Sequence, residues 1–315
     1  MVSFIERYIF LLSIPLYTIV ILTEILMSNW KVKGFYSVKE TLMNIYMTIA
    51  NVAIDVFFRS VYLLALFFAY DHRVIDGPSN PLVYWTALFI LEDLAFYIEH
   101  RMDHSSRLLW AVHVTHHSSP EFNLTTGFRS SVLQPLYRFI YFMPIVFFGF
   151  KPMDILLIFS VTQIYGILVH TQFIQKMPAW FEAVFVSPSH HRVHHARNVL
   201  YLDKNMGMAL IIWDKLFGTF QQEVEQEPVQ FGITKMPDQP YHPVKSITHE
   251  FENILSDVTK SKRLKDKLGY IFMPPGWSHD GSTKTSRQLQ DELKGGEQVL
   301  KQAESLLQDR EKVEV

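Results

Sequence analysis

The chain of 315 residues contains no cysteine. Disulfide bonds, thiolate metal ligands and cysteine nucleophiles are therefore excluded, and any bound metal must take nitrogen or oxygen ligands. An excess of one charge is also missing, because 29 lysines and arginines nearly balance 31 acidic residues. The formal net charge of −2 gives no basic face for nucleic acid, and we expect no such partner. We also expect no cleavable signal peptide, since the apolar stretch 4–27 is too long for one.

Hydrophobic residues, in contrast, make up 49% of the chain and aromatic residues 14%, with 25 phenylalanines. This content exceeds what a soluble core of this size usually needs, and it favours a membrane protein. Two short apolar segments meet at Lys151-Pro152 and are expected to form a hairpin that enters and leaves on one side. The apolar segments are 4–27, 45–70, 82–98, 135–150 and 153–169.

The loop at 28–44 carries Lys31, Lys33 and Lys39 and indicates the orientation of the chain. The positive-inside rule places a basic loop of this kind on the cytoplasmic side of the membrane. Counting crossings from this loop brings the stretches 100–134 and 170–195 to the same side. We therefore predict a multi-pass membrane protein whose histidine-rich stretches share the cytoplasmic face.

Histidines are concentrated in the middle of the chain, where ten of the fourteen fall between positions 100 and 195. They occur as EHRMDH at 99–104, HVTHH at 113–117 and HHRVHH at 190–195, and each stretch contains histidines at i, i+4. Helical residues at this spacing share one face and can direct several nitrogens at one ion. The candidate metal ligands are His100, His104, His113, His116, His117, His170, His190, His191, His194 and His195.

This number of imidazoles exceeds the needs of one four- or six-coordinate ion. It suits two metals that share a site, with His170 supplied from the end of the hairpin. Imidazole binds zinc, copper, iron and nickel alike, so the ligand type does not identify the metal. Two redox-active irons would account for the ligand number without any thiolate.

Three polar residues near the histidines are candidates for catalytic roles. Asp93 lies in an apolar helix, where a carboxylate is costly unless it has a partner. It is expected either to bond to a ligand histidine or to form a hydrogen bond between helices. Asn123 and Arg129 follow the second histidine stretch and are candidates for contacts with substrate or ligand rings, with loop capping as the alternative.

These motifs resemble the fatty acid hydroxylase/sterol desaturase superfamily of membrane non-haem diiron enzymes. HHSSPEFNLTTGFRSSVLQP at 116–135 and SPSHHRVHHARNVLYLDKNMGMALIIWDKLFGTF at 187–220 are closest to its alkylglycerol monooxygenase branch. LVHTQFI at 168–174 and PPGWS at 274–278 also match that branch. One departure is Ser105, which stands where the branch carries a glutamate after the second histidine.

The resemblance implies an all-α fold, with a membrane bundle of four to five helical segments and a cytoplasmic helical cap that holds a histidine-rich dimetal site. Together with the apolar and charged segments of the chain, it predicts an N-terminal transmembrane hairpin at 1–80, a diiron catalytic domain at 81–220, an interfacial segment at 221–283 and a polar tail at 284–315. Carried over by motif, the two irons would be bound by eight histidines, with His170 and His190 as further members of the set. Those eight are His100, His104, His113, His116, His117, His191, His194 and His195.

The resemblance also implies a reaction in which O2 is activated and a lipid C–H bond is hydroxylated or desaturated. In the ether-lipid branch, oxidation next to the ether oxygen yields an aldehyde and a glycerol derivative, with tetrahydrobiopterin as reductant. The sequence contains no nucleotide-binding or haem motif of its own, so an external pterin or electron-donor protein is expected. A sterol or fatty acyl desaturase or hydroxylase is the alternative within the superfamily. A zinc-binding or metal-transporting membrane protein is the alternative outside it, and the oligomeric state is not indicated.

Overall fold

The computed structural model describes residues 18–28 and 34–296. Apart from two isolated bridges, the secondary structure of these residues is helical, which confirms the predicted all-α class. The numbered helices are α1 (Thr18–Ser28), α2 (Val38–Asp71), α3 (Pro81–Ser105), α4 (Arg107–His117), α5 (Phe139–Phe147), α6 (Pro152–Leu168), α7 (Ala179–Val184), α8 (Pro188–His194), α9 (Ile212–Phe217), α10 (Lys245–Lys260) and α11 (Leu264–Phe272). Residues 286–296 are helical as well.

Helices α2 and α3 are long and apolar enough to cross a membrane. Helix α2 starts seven residues before the predicted segment because Ser37 caps it, with the Ser37 hydroxyl accepting a hydrogen bond from the Glu40 amide. Asn80 caps α3 in the same way, and Pro81 occupies its first turn. Most of the predicted segment at 4–27 lies outside the described residues.

The short hairpin has the predicted hinge but a later start. Helix α5 begins at Phe139 instead of 135, because Gln134–Leu136 form a separate 3-10 turn with Pro135 at its start. Helix α6 begins at Pro152, directly after the hinge. The two helices are nine and seventeen residues long, so each is shorter than a standard transmembrane helix.

Apolar contacts between α2, α3, α5 and α6 form the core of the bundle. Leu66, Leu88, Val146 and Ile155 are fully buried at its centre. The opposite face of α2 exposes large apolar side chains. Contact of these side chains with lipid is favourable, whereas their contact with water is not. These exposed residues are Ile45, Ile49, Val52, Val56, Phe57, Val61, Leu64, Phe67 and Phe68.

The predicted shared side of the histidine stretches corresponds to one end of the bundle. Helix α3 ends there, α2 begins there, and Asn51 of α2 donates a hydrogen bond to the Ser131 carbonyl at 2.8 Å. At the other end of the bundle, the Val74 amide donates to the Phe147 carbonyl at 2.9 Å. The remaining helices form a cap over the first end. Arg107 of α4 ties α10 to this cap through ion pairs with Glu250 and Asp257, both at 2.7 Å.

Candidate metal centre

Nine of the ten candidate histidines assemble into two groups at the capped end of the bundle. In each group, the potential ligand nitrogens lie within 4.8 Å of one another. Neighbours in sequence enter different groups, so the two groups share a wall formed by α4 and α8. The first group is His100, His104, His113, His117 and His194, and the second is His116, His170, His191 and His195.

Four of the nine rings are held from behind by backbone carbonyls at their Nδ1 atoms. The Nδ1 atoms of His100, His116 and His194 lie 2.8, 2.8 and 2.9 Å from the carbonyls of residues 206, 129 and 204. His170 Nδ1 lies 2.7 Å from the Gly166 carbonyl. A carbonyl only accepts, so Nδ1 must carry the proton and the Nε2 lone pair must face the centre of the group. This arrangement fixes the tautomer and orientation that a metal ligand needs.

The Nε2 atoms inside the groups lack the partners that buried nitrogens normally have. In the first group, the Nε2 atoms of His104, His117 and His194 are buried with no hydrogen-bond partner in the described part of the chain. In the second group, His170 Nε2 lies 2.9 Å from His191 Nε2 and 3.2 Å from His195 Nε2. Two nitrogens that bind one ion at about 2.1 Å and roughly right angles lie about 3 Å apart. The donor atoms therefore fit a cation in each group.

The electrostatics of the site also favour metal binding. Burial lowers the pKa of His116 to about 4. Burial, reinforced by the neighbouring imidazoles, lowers the pKa values of His117, His194 and His195 well below their usual value. These rings are therefore neutral near pH 7, which is the form that binds metal ions.

His190 belongs to neither group, and we therefore leave it out of the proposed ligand set. Its Nδ1 accepts a hydrogen bond from the Ser187 amide at 3.2 Å, while the Ser187 hydroxyl accepts from the His190 amide. This reciprocal pair is a capping box that starts α8. The ring packs edge-on against Phe220, and its nitrogens are not among those of either group.

Asp93 does not bond to a histidine, so the alternative, a hydrogen bond between helices, describes its role. Its carboxylate accepts from the amides of Ala209 and Leu210 at 2.9 and 3.2 Å and from the Trp213 indole at 2.9 Å. Asp93 is fully buried, and these donors satisfy its charge. The residue thus attaches α9 and the loop before it to α3, and that loop carries the Met206 carbonyl that orients His100.

Asn123 and Arg129 also have structural partners instead of positions open to substrate. The side-chain oxygen Oδ1 of Asn123 caps the turn that follows by accepting hydrogen bonds from the backbone amides of Thr125 and Thr126. The Arg129 guanidinium is buried and donates to Glu40 and Asn44 of α2 and to the backbone of α4. The backbone of Arg129, and not its side chain, contributes to the site, because its carbonyl orients His116.

A cavity of about 100 Å³ adjoins both histidine groups. It lies between α3 and α6, beside the α5–α6 hairpin. His100 and His113 of the first group and His116, His170 and His191 of the second line it. The other lining residues are mixed in character instead of wholly apolar, and they include Phe96, Ile167, Met208, Asn51, Gln134, Arg138 and Gln163.

Several residues that shape the site were missed by the sequence reasoning. Asp203 places Oδ1 3.1 Å from His104 Nδ1, and both Asp203 and Asn205 adopt positive φ in the turn that follows α8. Aspartate and asparagine tolerate this conformation, so the LDKN stretch was a usable signal for a tight turn. Glu99 and Asp103 of α3 are also fully buried, and their place in an apolar helix marked them as partnered groups.

Comparisons with known proteins agree with this geometry. Residues 85–219 match the family model "Fatty acid hydroxylase". Alkylglycerol monooxygenase of Homo sapiens is 34% identical over 266 residues, which is 84% of this chain and 58% of that protein. The ornithine lipid hydroxylase OlsE of Rhizobium tropici is 27% identical over 49% of this chain and 47% of its own length. The Saccharomyces cerevisiae Delta(7)-sterol 5(6)-desaturase ERG3 is 26% identical over 44% of this chain and 36% of its own length.

The chain spans about half the length of several relatives that it matches. No solved structure shows a significant match. The matched region contains most of α3, all of α4 and α8, and all nine histidines of the two groups. The histidine motifs, the metal-binding geometry and these similarities together show that the chain belongs to the fatty acid hydroxylase family.

Proposed function

We propose that the chain is a membrane-bound monooxygenase that uses O2 to hydroxylate the carbon next to the ether oxygen of an ether lipid, which cleaves the ether bond. The observation that carries this proposal is the pair of histidine groups beside one cavity, with their Nε2 atoms directed inward. The similarity to alkylglycerol monooxygenases, which covers 84% of this chain for the human protein, supports the ether-lipid substrate. A metal cofactor fits the donor set, and we propose two iron ions, one in each group.

The metal pair would supply the redox chemistry that imidazoles alone lack. One atom of O2 enters the C–H bond and the other leaves as water, so each turnover needs two electrons and two protons from outside. We propose tetrahydrobiopterin or an electron-donor protein as their source. Hydroxylation next to the ether oxygen gives a hemiacetal, and loss of its C–O bond releases an aldehyde and a glycerol derivative.

The protein's own residues would hold and shield the metals. The Nδ1 hydrogen bonds to the carbonyls of residues 129, 166, 204 and 206 fix the orientation of four of the rings that would bind them. Eight of the nine rings are buried, which keeps bulk water away from the reacting carbon. Phe96 and Ile167 offer the cavity an apolar contact for the chain of the lipid.

We propose that the capped end faces the cytoplasm, with α2, α3 and the α5–α6 hairpin in the membrane. The same proposal divides the chain at 1–80, 81–220, 221–283 and 284–315, as the sequence and the family resemblance together predict. Helix α11 supports an interfacial position for the third part, because Leu264, Leu268 and Phe272 are exposed at helical spacing. Lys265 and Lys267 lie between these apolar residues and would face lipid headgroups.

The arrangement argues against a metal transporter. A transport pathway needs ligands along the depth of the membrane. Within the described residues, both histidine groups lie at one end of the bundle. A desaturase acting in the middle of an acyl chain would need an apolar wall next to the metals, whereas this cavity contains Arg138 and Gln163.

Product analysis tests the proposed function. The iron-loaded protein is incubated with O2, tetrahydrobiopterin and a total lipid extract, and the lipids are analysed by mass spectrometry. We expect loss of ether lipids and formation of long-chain aldehydes. Formation of new alkenes or mid-chain alcohols, with the ether lipids intact, would contradict the proposal.

A further inference from the structure

One of the residues that line the cavity, Gln163, has a side-chain amide that lacks a partner within the described part of the protein. Gln163 lies in the apolar helix α6, and its Nε2 atom is buried without a hydrogen-bond partner among the described residues. A buried amide without a partner is destabilising, and native structures rarely keep one without a reason. Gln163 lines the cavity, which offers space for a bonding group beside this amide.

Arg138 also lines the cavity, and its ion pairing determines whether the lining carries a net charge. Its Nε donates to both carboxylate oxygens of Glu99, at 3.0 and 3.2 Å, and its guanidinium lies 4.8 Å from the centre of the Phe159 ring. Glu99 is fully buried, so the ion pair leaves no net positive charge for an anionic group. The lining around Gln163 and Arg138 therefore offers hydrogen bonds without a net charge, and it suits an uncharged, oxygen-bearing group better than a phosphate.

Gln163 and the histidines line the same cavity, and this limits which carbon of a bound ligand can react. The cavity contacts both histidine groups and is small, with a volume of about 100 Å³. A ligand whose oxygen atoms bond to Gln163 therefore has its nearby carbons next to the histidines. The first chain carbon of an ether lipid is such a carbon, whereas the middle of an acyl chain is far from any oxygen.

We propose that the Gln163 amide binds the uncharged glycerol head of the lipid substrate and thereby selects the carbon next to the ether oxygen. This inference rests on the proposed function. Gln163 is the residue to test, because removal of Arg138 would leave Glu99 buried and unpaired and could unfold the bundle. Gln163→Leu and Gln163→Met remove only the amide and suit an apolar helix.

Binding without turnover is measured first, with iron-loaded full-length protein in detergent under argon. The probes are 1-O-hexadecylglycerol and octadecane, which has a similar chain and no oxygen. We expect Gln163→Leu to raise the Kd of hexadecylglycerol about tenfold, the effect of one lost hydrogen bond to a buried polar group, with no increase for octadecane. Gln163→Met should give the same loss. Ser160→Ala is the matched control on α6, because Ser160 donates to the helix's own Leu156 carbonyl.

The outcomes separate the two proposals. If Gln163→Leu and Gln163→Met bind hexadecylglycerol as tightly as the unmodified protein, while that protein cleaves the lipid when O2 is admitted, the role of Gln163 is wrong and the proposed function stands. If the unmodified protein neither cleaves hexadecylglycerol nor prefers it to octadecane, both proposals fail. Iron content, measured on each sample, shows that the variants retain the metal site.

Discussion

The Nε2 atoms of His170 and His191 lie 2.9 Å apart, although His170 donates its Nδ1 proton to the Gly166 carbonyl. A neutral imidazole carries one proton, so the Nε2 of His170 presents a lone pair to a second ring nitrogen. His195 Nε2 faces the same lone pair at 3.2 Å. One lone pair accepts only one well-aligned proton, so His191 and His195 cannot both be satisfied by donating to His170. A cation bonded to all three nitrogens would satisfy them together, and this arrangement adds to the evidence that the number of histidines gives for a metal.

The contrast between His190 and His191 tests the proposed ligand set. His191→Ala removes a ligand from the four-histidine group and should reduce bound metal from about two ions per chain to about one. His190→Ala removes only the capping box and should retain both ions, with a stability loss of about 1 kcal/mol. Metal content by plasma mass spectrometry on the two purified variants distinguishes them. Equal metal loss in both would show that the assignment of ligands is wrong.

Gly127 tests whether the position of His170 matters. A methyl group at this position would lie 3.1 Å from His170 Nδ1 and 3.1 Å from the backbone of Ile167. Gly127→Ala should therefore displace the ring and weaken metal binding in the second group, by about tenfold or more, as for other residues that orient a metal ligand. Gly296→Ala is the matched control, since nothing lies within 4 Å of the added atom. Unchanged metal affinity in Gly127→Ala would contradict the role assigned to His170.

Asp93 should affect stability and not the chemical step. Asp93→Asn replaces one accepting oxygen by an NH2 group that faces the donors of Ala209, Leu210 and Trp213. We expect a loss of about 1–3 kcal/mol in unfolding free energy, the cost of a buried hydrogen bond that is not made. Turnover per bound metal should stay within a factor of about two. A loss of turnover above about a hundredfold, with metal content and stability unchanged, would show that Asp93 acts in catalysis.

Acid should destabilise the metal-free protein. The buried histidines bind protons more weakly when folded than in the unfolded chain, where the pKa is about 6.5, and for His116 the folded pKa is about 4. The unfolded state therefore takes up more protons as the pH falls, so stability is complete above about pH 6.5 and declines from there toward about pH 4. Thermal unfolding in detergent at half-unit pH steps checks this. A midpoint that stays constant between pH 7.5 and 4.5 would contradict it.

The histidine stretches were predictable because their spacing is a local property of helices. Residues at i and i+4 share a face whatever surrounds the helix. The division into two groups was not predictable, because neighbours such as His116 and His117 enter different groups. That division depends on how α4 and α8 pack against each other, which periodicity does not specify.

The partners behind the rings were even less accessible from sequence. Three rings are oriented by backbone carbonyls of residues 129, 204 and 206, and every residue type has a carbonyl. Asp93 was recognised as a buried acid that needs a partner, but its donors are about 120 residues away in sequence. Where the structure describes them, the predicted apolar segments are helical, and their ends differ where Ser37 and Pro135 impose local caps and turns.

The measurement that tests the central claim most directly is iron content combined with O2 consumption. The full-length protein is purified anaerobically in detergent, loaded with iron(II) and supplied with tetrahydrobiopterin and hexadecylglycerol. We predict about two irons per chain and O2 uptake that depends on the lipid and matches the aldehyde formed. Binding of zinc alone, or two irons without any lipid-dependent O2 uptake, would contradict a diiron lipid monooxygenase.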